Sequence, residues 1–243
     1  MIILAVGMPR AGSGWHYNLI HDLVTANGGD DARRVRERYH LQGILTEVNC
    51  NIGVLSVRRL GMAVVPSLMG KTYALKAHSG PTRTSGLLQA IGQMRVLYIY
   101  RDPRDAMLSA FDYGQRAIAK GRPNAFSQLT GFEKTLDFMA EYVGISEAWL
   151  ARKDALHTSY ENFLQSYDAE ARRIVEFLGY SAASPENLAV VEKYRPNQAS
   201  SGDKGLHFFK GRIGRFREKY TEEQQALMAG RFGNYLQGRG YEI

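Results

Sequence analysis

The stretch from Ile2 to Val24 constrains this chain more than any other. It opens with the five apolar residues Ile2-Ile3-Leu4-Ala5-Val6, passes through a turn carrying Gly7, Pro9, Gly12 and Gly14, and continues from Trp15 to Val24. A short apolar run bounded by turn signals predicts a buried strand. Trp15, Leu19, Ile20, Leu23 and Val24 share one face at helical spacing, which predicts a helix. Strand, Gly-rich turn and helix in succession wrap an anion. Glycine lets the backbone come close, and N–H groups at the helix start point at the charge.

The spacing of Gly7 and Gly12 matches half of the nucleotide-binding loop pattern GxxxxGK[ST]. Ser13 stands where the Lys should follow, and the cation comes earlier, at Arg10. The loop is therefore expected to hold a phosphate and to make a poor ATPase loop. The plain alternative is an ordinary strand-to-helix turn.

Further along, 30–40 interleaves Arg33, Arg34, Arg36 and Arg38 with Asp31 and Glu37, and reads as a charged helix or an insertion near a site. A helix is expected over 54–69, ending near Pro66. Thr72 to His78 and Arg95 to Arg101 read as strands, with a helix from Thr84 to Ile91 between them. Asp102-Pro103 supplies an N-cap and a proline at the first helical position. Helical periodicity covers 126–150, Ala155 to Ser159 is a short strand, and helices follow at 169–178, 185–194 and 221–236. Thr221 with Glu223 or Gln224 suggests a cap for the last of these. The segment 196–205 reads as a loop.

Strands separated by helices argue for α/β architecture: a three-layer sandwich whose central, mostly parallel sheet is flanked by helices. No repeat or linker breaks the chain, so residues 1–243 are expected to form a single domain. Cys50 is the only cysteine, which excludes an internal disulfide and a cysteine-based metal cluster. No window approaches a membrane span, and the apolar N-terminus is too short and too interrupted for a signal-peptide core. A cytoplasmic protein is expected. The net charge of +7 suits an anionic ligand, a nucleic acid or an acidic surface without choosing among them.

In open α/β sheets, ligands bind beyond the carboxyl ends of the strands. The first strand end gives the loop Arg10, Ala11, Gly12, Ser13 and Gly14; the second gives Lys76 and His78; the third gives Arg101 and, two helical turns on, Ser109. Arg can grip a phosphate with two prongs and Ser can add a hydroxyl, so Arg101 and Ser109 suggest a second anion site. Each residue also has an ordinary explanation. Arg101 can pair with Asp105, Ser109 can bond its own helix, and His78 can be a surface histidine.

Taken in order, these residues resemble the sulfotransferases that use 3'-phosphoadenosine 5'-phosphosulfate (PAPS). The family's PKSGTTW motif is similar to Pro9-Arg10-Ala11-Gly12-Ser13-Gly14-Trp15, and its RNPRDVAVSYY motif to 101–111, from Arg101 to Phe111. Lys76-Ala77-His78 resembles its K-[ST]-H element, Tyr160-Glu161 its YED element, and Phe209-Lys210-Gly211-Arg212-Ile213-Gly214-Arg215-Phe216 its RKGxxGDW element.

The resemblance implies a P-loop NTPase-like fold and transfer of a sulfuryl group to a hydroxyl or amine, with release of 3'-phosphoadenosine 5'-phosphate (PAP) and no metal. The 10–15 loop would hold the 5'-phosphosulfate, helped by the Ser13 hydroxyl. Trp15 would stack on the adenine with Tyr160 nearby. Arg101, Ser109, Lys210 and Gly211 would bind the 3'-phosphate. His78 would be the general base, Arg10 would take the place of the catalytic lysine, and Lys76 would be a second cation at the sulfuryl group. Arg10, Gly14 and Phe209 depart from the family's Lys, hydroxyl and Arg. The acceptor would be a small molecule, sugar or peptide, bordered by 33–40, 114–127 and 196–208, with Tyr113, Phe126, Phe132 and Phe208 either lining its pocket or packing in the core. No nucleic-acid partner is expected, and the oligomeric state is not legible. Two other readings fit parts of the sequence: a small-molecule kinase, and a non-catalytic basic protein binding nucleotide or nucleic acid.

Overall fold

The computed structural model describes residues 1–196 and 212–243. Four parallel strands form its sheet: β1 (Ile2–Gly7), β2 (Tyr73–Ala77), β3 (Met94–Tyr100) and β4 (Ala155–Ser159), in the order β2-β1-β3-β4. The helices are α1 (Ser13–Ala26), α2 (Ala32–Arg38), α3 (Val57–Leu68), α4 (Arg83–Ala90), α5 (Pro103–Ala119), α6 (Phe132–Leu150), α7 (Tyr160–Gln165), α8 (Tyr167–Phe177), α9 (Pro185–Lys193), α10 (Phe216–Lys219) and α11 (Glu222–Gly238).

The central position of β1 follows from its composition. Every residue of Ile2–Gly7 is buried, as a strand covered on both faces must be. Ile2, Leu4 and Val6 point into one core with Leu75, Val96, Tyr98, Leu60, Leu88 and Trp149, beneath α2, α3, α4 and the end of α6. Ile3 and Ala5 point the other way, against Leu19, Ile20, Leu23, Phe163 and Ile174 of α1, α7 and α8. These are the three layers expected. A third cluster lies beyond the strand tips, where Met8, Ala11 and Met107 meet Met139, Phe216 and Phe232 of α6, α10 and α11.

Two boundaries differ from the sequence reading. α3 runs past Pro66 to Leu68, because a proline this close to a helix end forfeits one bond and its carbonyl still accepts from Met69 and Lys71. The periodicity over 126–150 resolves into a short 3-10 turn, Ala125–Gln128, and then α6, separated by the fully extended Gly131. The residues 30–40 form α2, capped by Asp31. The loop expected at 196–205 lies almost wholly outside the described residues.

The sheet order makes β2 and β3 the two neighbours of β1. Val6 pairs with Ala77 on one side and with Tyr98 on the other. The three strand ends carrying the candidate residues are therefore adjacent. Among the described residues, no helix is long and apolar enough to cross a membrane, and no group of His, Cys, Asp and Glu is arranged to hold a metal ion.

Candidate active site

The loop between β1 and α1 is shaped by close packing. A Cβ on Gly7 would lie 2.7 Å from a methyl carbon of Ile99 and 2.8 Å from Ser13 Cβ, so only glycine lets β1, β3 and the helix start meet. Arg10 and Gly12 both adopt left-handed backbone, with φ of 67° and 77°. For Arg10 this costs about 1–2 kcal/mol, strain of a kind that gathers at functional turns. Gly12 is the N-cap of α1 and brings no side chain to close the helix end. Among the described residues, the N–H groups of Gly12, Ser13 and Gly14 find no acceptor. A helix start with open donors and a positive dipole end is a ready anion site.

The other two strand ends close on this loop. Arg101, at the end of β3, donates through Nη1 to the carbonyl of Arg10 at 3.2 Å. Its Nη2 reaches Asp105 at 3.4 Å and the carbonyl of Arg212 at 3.2 Å, and its guanidinium lies 4.2 Å from the centre of the Tyr160 ring. The Nε of Arg101 is buried and has no partner among the described residues. Arg10 donates through Nε to Ser109 Oγ at 3.2 Å, and its guanidinium stacks 4.4 Å from the Tyr113 ring and 5.9 Å from Phe126. His78, just past β2, contacts the carbonyl of Gly7 through Nδ1 at 2.6 Å. A carbonyl only accepts, so Nδ1 carries the proton and Nε2 keeps its lone pair. The next residue is pinned by the Trp149 indole N–H, which donates to Ser79 O at 2.9 Å.

Charge in this pocket is one-sided. Lys76 is 7% exposed, and its ammonium makes no ion pair or hydrogen bond with a described residue. Burial, with Arg10 nearby, lowers its pKa to about 8. Burial also lowers Arg10 to about 10, with Tyr113 opposing and Arg116 and Arg101 adding to the fall. His78 is lowered to about 4, by burial first and Lys76 next, so the imidazole is neutral at pH 7. His16, one turn into α1, is buried with both ring nitrogens unpartnered and is lowered to about 3 by the same two causes. Cations held in a half-dry pocket with no carboxylate of the described residues facing Arg10 or Lys76 have the electrostatics of a site that awaits an anion.

A second ring of residues keeps the Arg101 segment rigid. Asp102 caps α5 and takes a two-pronged bond from Arg104, whose guanidinium also donates to Glu242 O at 2.6 Å and covers the Phe216 ring. Asp105 accepts from the N–H of Gly214 at 2.7 Å and of Phe216 at 3.1 Å. Glu161 accepts from the N–H of Asp102 and from the Tyr241 hydroxyl. Sequence reasoning missed these roles for Arg104, Asp105 and Glu161. The signals were that Arg104 and Asp105 sit in the charged opening of the 101–111 motif and that Glu161 follows Tyr160 in the YED-like element.

The candidate residues thus fall into groups. Arg10, Gly12, Ser13, Gly14, Lys76, His78, Arg101 and Ser109 converge, and Ala11 is buried beneath the loop. The anticipated Arg101–Asp105 pair is also present. Tyr160 packs on Gly12, where a Cβ would meet its ring at 2.9 Å. Trp15 departs from the open stacking surface that the resemblance implies. It is 3% exposed, lies 4.0 Å from Phe163 and donates its indole N–H to Tyr194 O. The reason is local: Trp15 is on the helix face that packs on α7 and α8. Lys210, Gly211, Phe208 and Phe209 lie outside the described residues. Of the α2 arginines, Arg33 and Arg36 are spent on the carbonyls of Val48 and Leu45. Tyr113 and Phe126 face Arg10, whereas Phe132 packs against Tyr220.

The profile of the sulfotransferase domain family matches residues 2–237. The chain belongs to that family. A curated relative, cytosolic sulfotransferase 17 of Arabidopsis thaliana, is 23% identical over 176 residues, which make up 60% of this chain and 51% of that protein. The chain thus spans about half the length of this relative. Mouse sulfotransferase SULT7A1 complexed with PAP superposes with a TM-score of 0.61 at 15% identity, over 97% of this chain and 84% of that one. Retinol dehydratase in complex with androsterone and inactive cofactor PAP gives 0.60 at 16% identity, over 97% and 80%. At such identities the likeness establishes a shared fold: the parallel sheet flanked by helices is that of the sulfotransferases.

Proposed function

We propose that the chain, working as one domain over residues 1–243, transfers a sulfuryl group from PAPS to a hydroxyl or amine of an acceptor. The observation that carries this reading is the meeting of Arg10, Lys76 and Arg101 at one loop where, among the described residues, the N–H groups of Gly12, Ser13 and Gly14 and the Nε of Arg101 find no partner, with a neutral imidazole beside them. The residues present fit a nucleotide with phosphate at one end and phosphosulfate at the other. Arg101 and Ser109, with Lys210 and Gly211, would hold the 3'-phosphate. Arg10 to Gly14 would hold the 5'-phosphosulfate, and Tyr160 would form the wall near the base. Solved relatives crystallised with PAP support the choice of nucleotide.

Sulfuryl transfer passes a nearly planar, electron-poor group between two oxygens in line, so positioning and charge stabilisation do most of the work. Lys76 and Arg10 would take up negative charge as it grows on the departing oxygen. Arg10 stays charged but is a very weak proton donor, so its part is electrostatic. His78 Nε2 would accept the acceptor's proton. Its basicity, depressed in the free protein by burial and the nearby cations, rises when a bound anion compensates those cations. A metal has no assigned part in this scheme. The acceptor is proposed to be a small molecule, sugar or peptide, and the location cytoplasmic, in keeping with the plant relative's name, cytosolic sulfotransferase 17. Family membership does not favour the kinase or nucleic-acid readings.

The test has two parts. PAP should raise the melting temperature, because it binds only the native state. PAPS with an acceptor alcohol should release PAP, and His78→Ala should abolish that release while leaving the PAP shift intact. A wild type that is indifferent to both PAP and PAPS would remove the reading.

A further inference from the structure

Helices α3 and α4 lie side by side against the sheet. Thr82, the N-cap of α4, donates to the carbonyl of Leu55 just ahead of α3 at 3.0 Å. Ser67, in the last turn of α3, contacts Gln93 Oε1 just beyond α4 at 3.1 Å. Tied in the same order at both ends, the two helices run parallel and share one outward surface. Their inner faces bury Leu60, Ala63 and Leu88. Their outer faces are also apolar. Val57, Val65, Leu68 and Met69 are 47–74% exposed along α3 and its C-cap, and Leu87 and Ile91 are 60% and 57% exposed along α4. Six exposed aliphatic side chains gathered on two adjoining helices mark an interaction surface, whereas single exposed ones do not.

The charge around this surface has one sign. Between Glu47 and Asp102 the sequence contains no Asp or Glu. Arg58 and Arg83 stand exposed in the first turns of α3 and α4. Asp30 and Asp154, from neighbouring segments, are already paired with Lys71 at 2.9 Å and Arg152 at 2.6 Å. We propose that the outer face of α3 and α4 docks on an anionic lipid surface, its aliphatic side chains entering the acyl boundary and its arginines meeting headgroup phosphates. A second copy of the chain fits less well. A twofold contact sets this patch against itself, and a patch with arginines and no carboxylates has nothing of opposite charge to offer its twin. The arginine end of the face adjoins the site, because Ser79–Pro81 leads straight from His78 to the start of α4. Docking would therefore bring the pocket mouth to the lipid surface. This inference does not depend on which reaction the pocket performs.

Vesicle sedimentation tests it. The full chain is spun with vesicles of phosphatidylcholine alone and with vesicles containing roughly one-third phosphatidylserine, at low and high salt. Binding is expected on the anionic vesicles only, and weaker in salt. Arg58→Glu/Arg83→Glu should lower the partition coefficient by about fivefold or more per arginine, from about 1 kcal/mol each. Leu68→Gln/Met69→Gln/Ile91→Gln should abolish binding. Both variants should keep the wild-type circular dichroism and melting temperature. Failure of the wild type to bind anionic vesicles overturns the proposal, as does equal binding to neutral ones. A wild-type dimer that the glutamine variant turns into a monomer also overturns it, in favour of a second copy as the occupant.

Discussion

Replacing Lys76 with Met should make the free protein more stable and less able to bind its nucleotide. Burial holds the Lys76 ammonium at about 8, against an ordinary 10.5. At about 1.4 kcal/mol per pH unit, that gap corresponds to a folded-state cost on the order of 3 kcal/mol. The sign is set by the lowered value. Below about pH 8 both folded and unfolded chains carry the charge, and the folded chain bears the full cost. Between about 8 and 10.5 the unfolded chain binds more protons, so stability climbs with pH and the cost fades. Lys76→Met keeps the length of the side chain and removes the charge. Its melting temperature at pH 7 should exceed the wild type's by several degrees, at roughly 2–4 °C per kcal/mol for a chain of this size. The advantage should shrink steadily toward pH 10. PAP should raise the wild type's melting temperature strongly and the variant's weakly, because the anion no longer finds the cation that repays its burial. Thermal melts from pH 6.5 to 10, with and without PAP, read all three effects. A variant that melts at or below the wild type at pH 7, or an advantage that does not change with pH, refutes the argument that Lys76 sits uncompensated.

Four further outcomes follow from the same geometry. His78→Ala should lower kcat by roughly 10²- to 10⁴-fold and leave PAP affinity unchanged in calorimetry. Ser109→Ala should weaken PAP by roughly tenfold to a hundredfold, as the loss of a hydrogen bond to a charged group does, and leave 5'-AMP, which lacks the 3'-phosphate, unaffected. Gly12→Ala should lose about 1–2 kcal/mol to left-handed strain, move Tyr160 and erase the PAP shift, as melts would report. Asp105→Ala should cost about 3–5 kcal/mol, since it strands a buried arginine and frees the N–H groups of Gly214 and Phe216; urea titration measures it.

What was legible in the sequence was mostly local. The apolar run of β1, the cap and proline that open α5, and the Thr221–Gln224 capping box that opens α11 each depend on residues within one turn of each other. That the candidate residues would lie at strand ends followed from the rule that parallel sheets bind ligands beyond their carboxyl ends; that those ends are adjacent is shown by the sheet order β2-β1-β3. What was not legible depends on partners far along the chain. Trp15 reads as an open ring until α7 and α8 pack over it. The bracing roles of Arg104, Asp105 and Glu161 depend on Phe216, Gly214 and Tyr241, far along the chain. The one-sided charge of the pocket was likewise invisible, since no spacing tells which cations lack carboxylates.

Those distant partners bear on how the protein is made. The carbonyl of Glu242 is held by Arg104, and the Tyr241 hydroxyl by Glu161. The sheet is complete by Ser159, so a chain emerging from the ribosome N-terminus first can assemble its core early. The Arg101 turn becomes rigid only after Tyr241 and Glu242 dock on it. Nucleotide grip should therefore be acquired only once these residues have emerged, and chains cut short of them should hold no cargo.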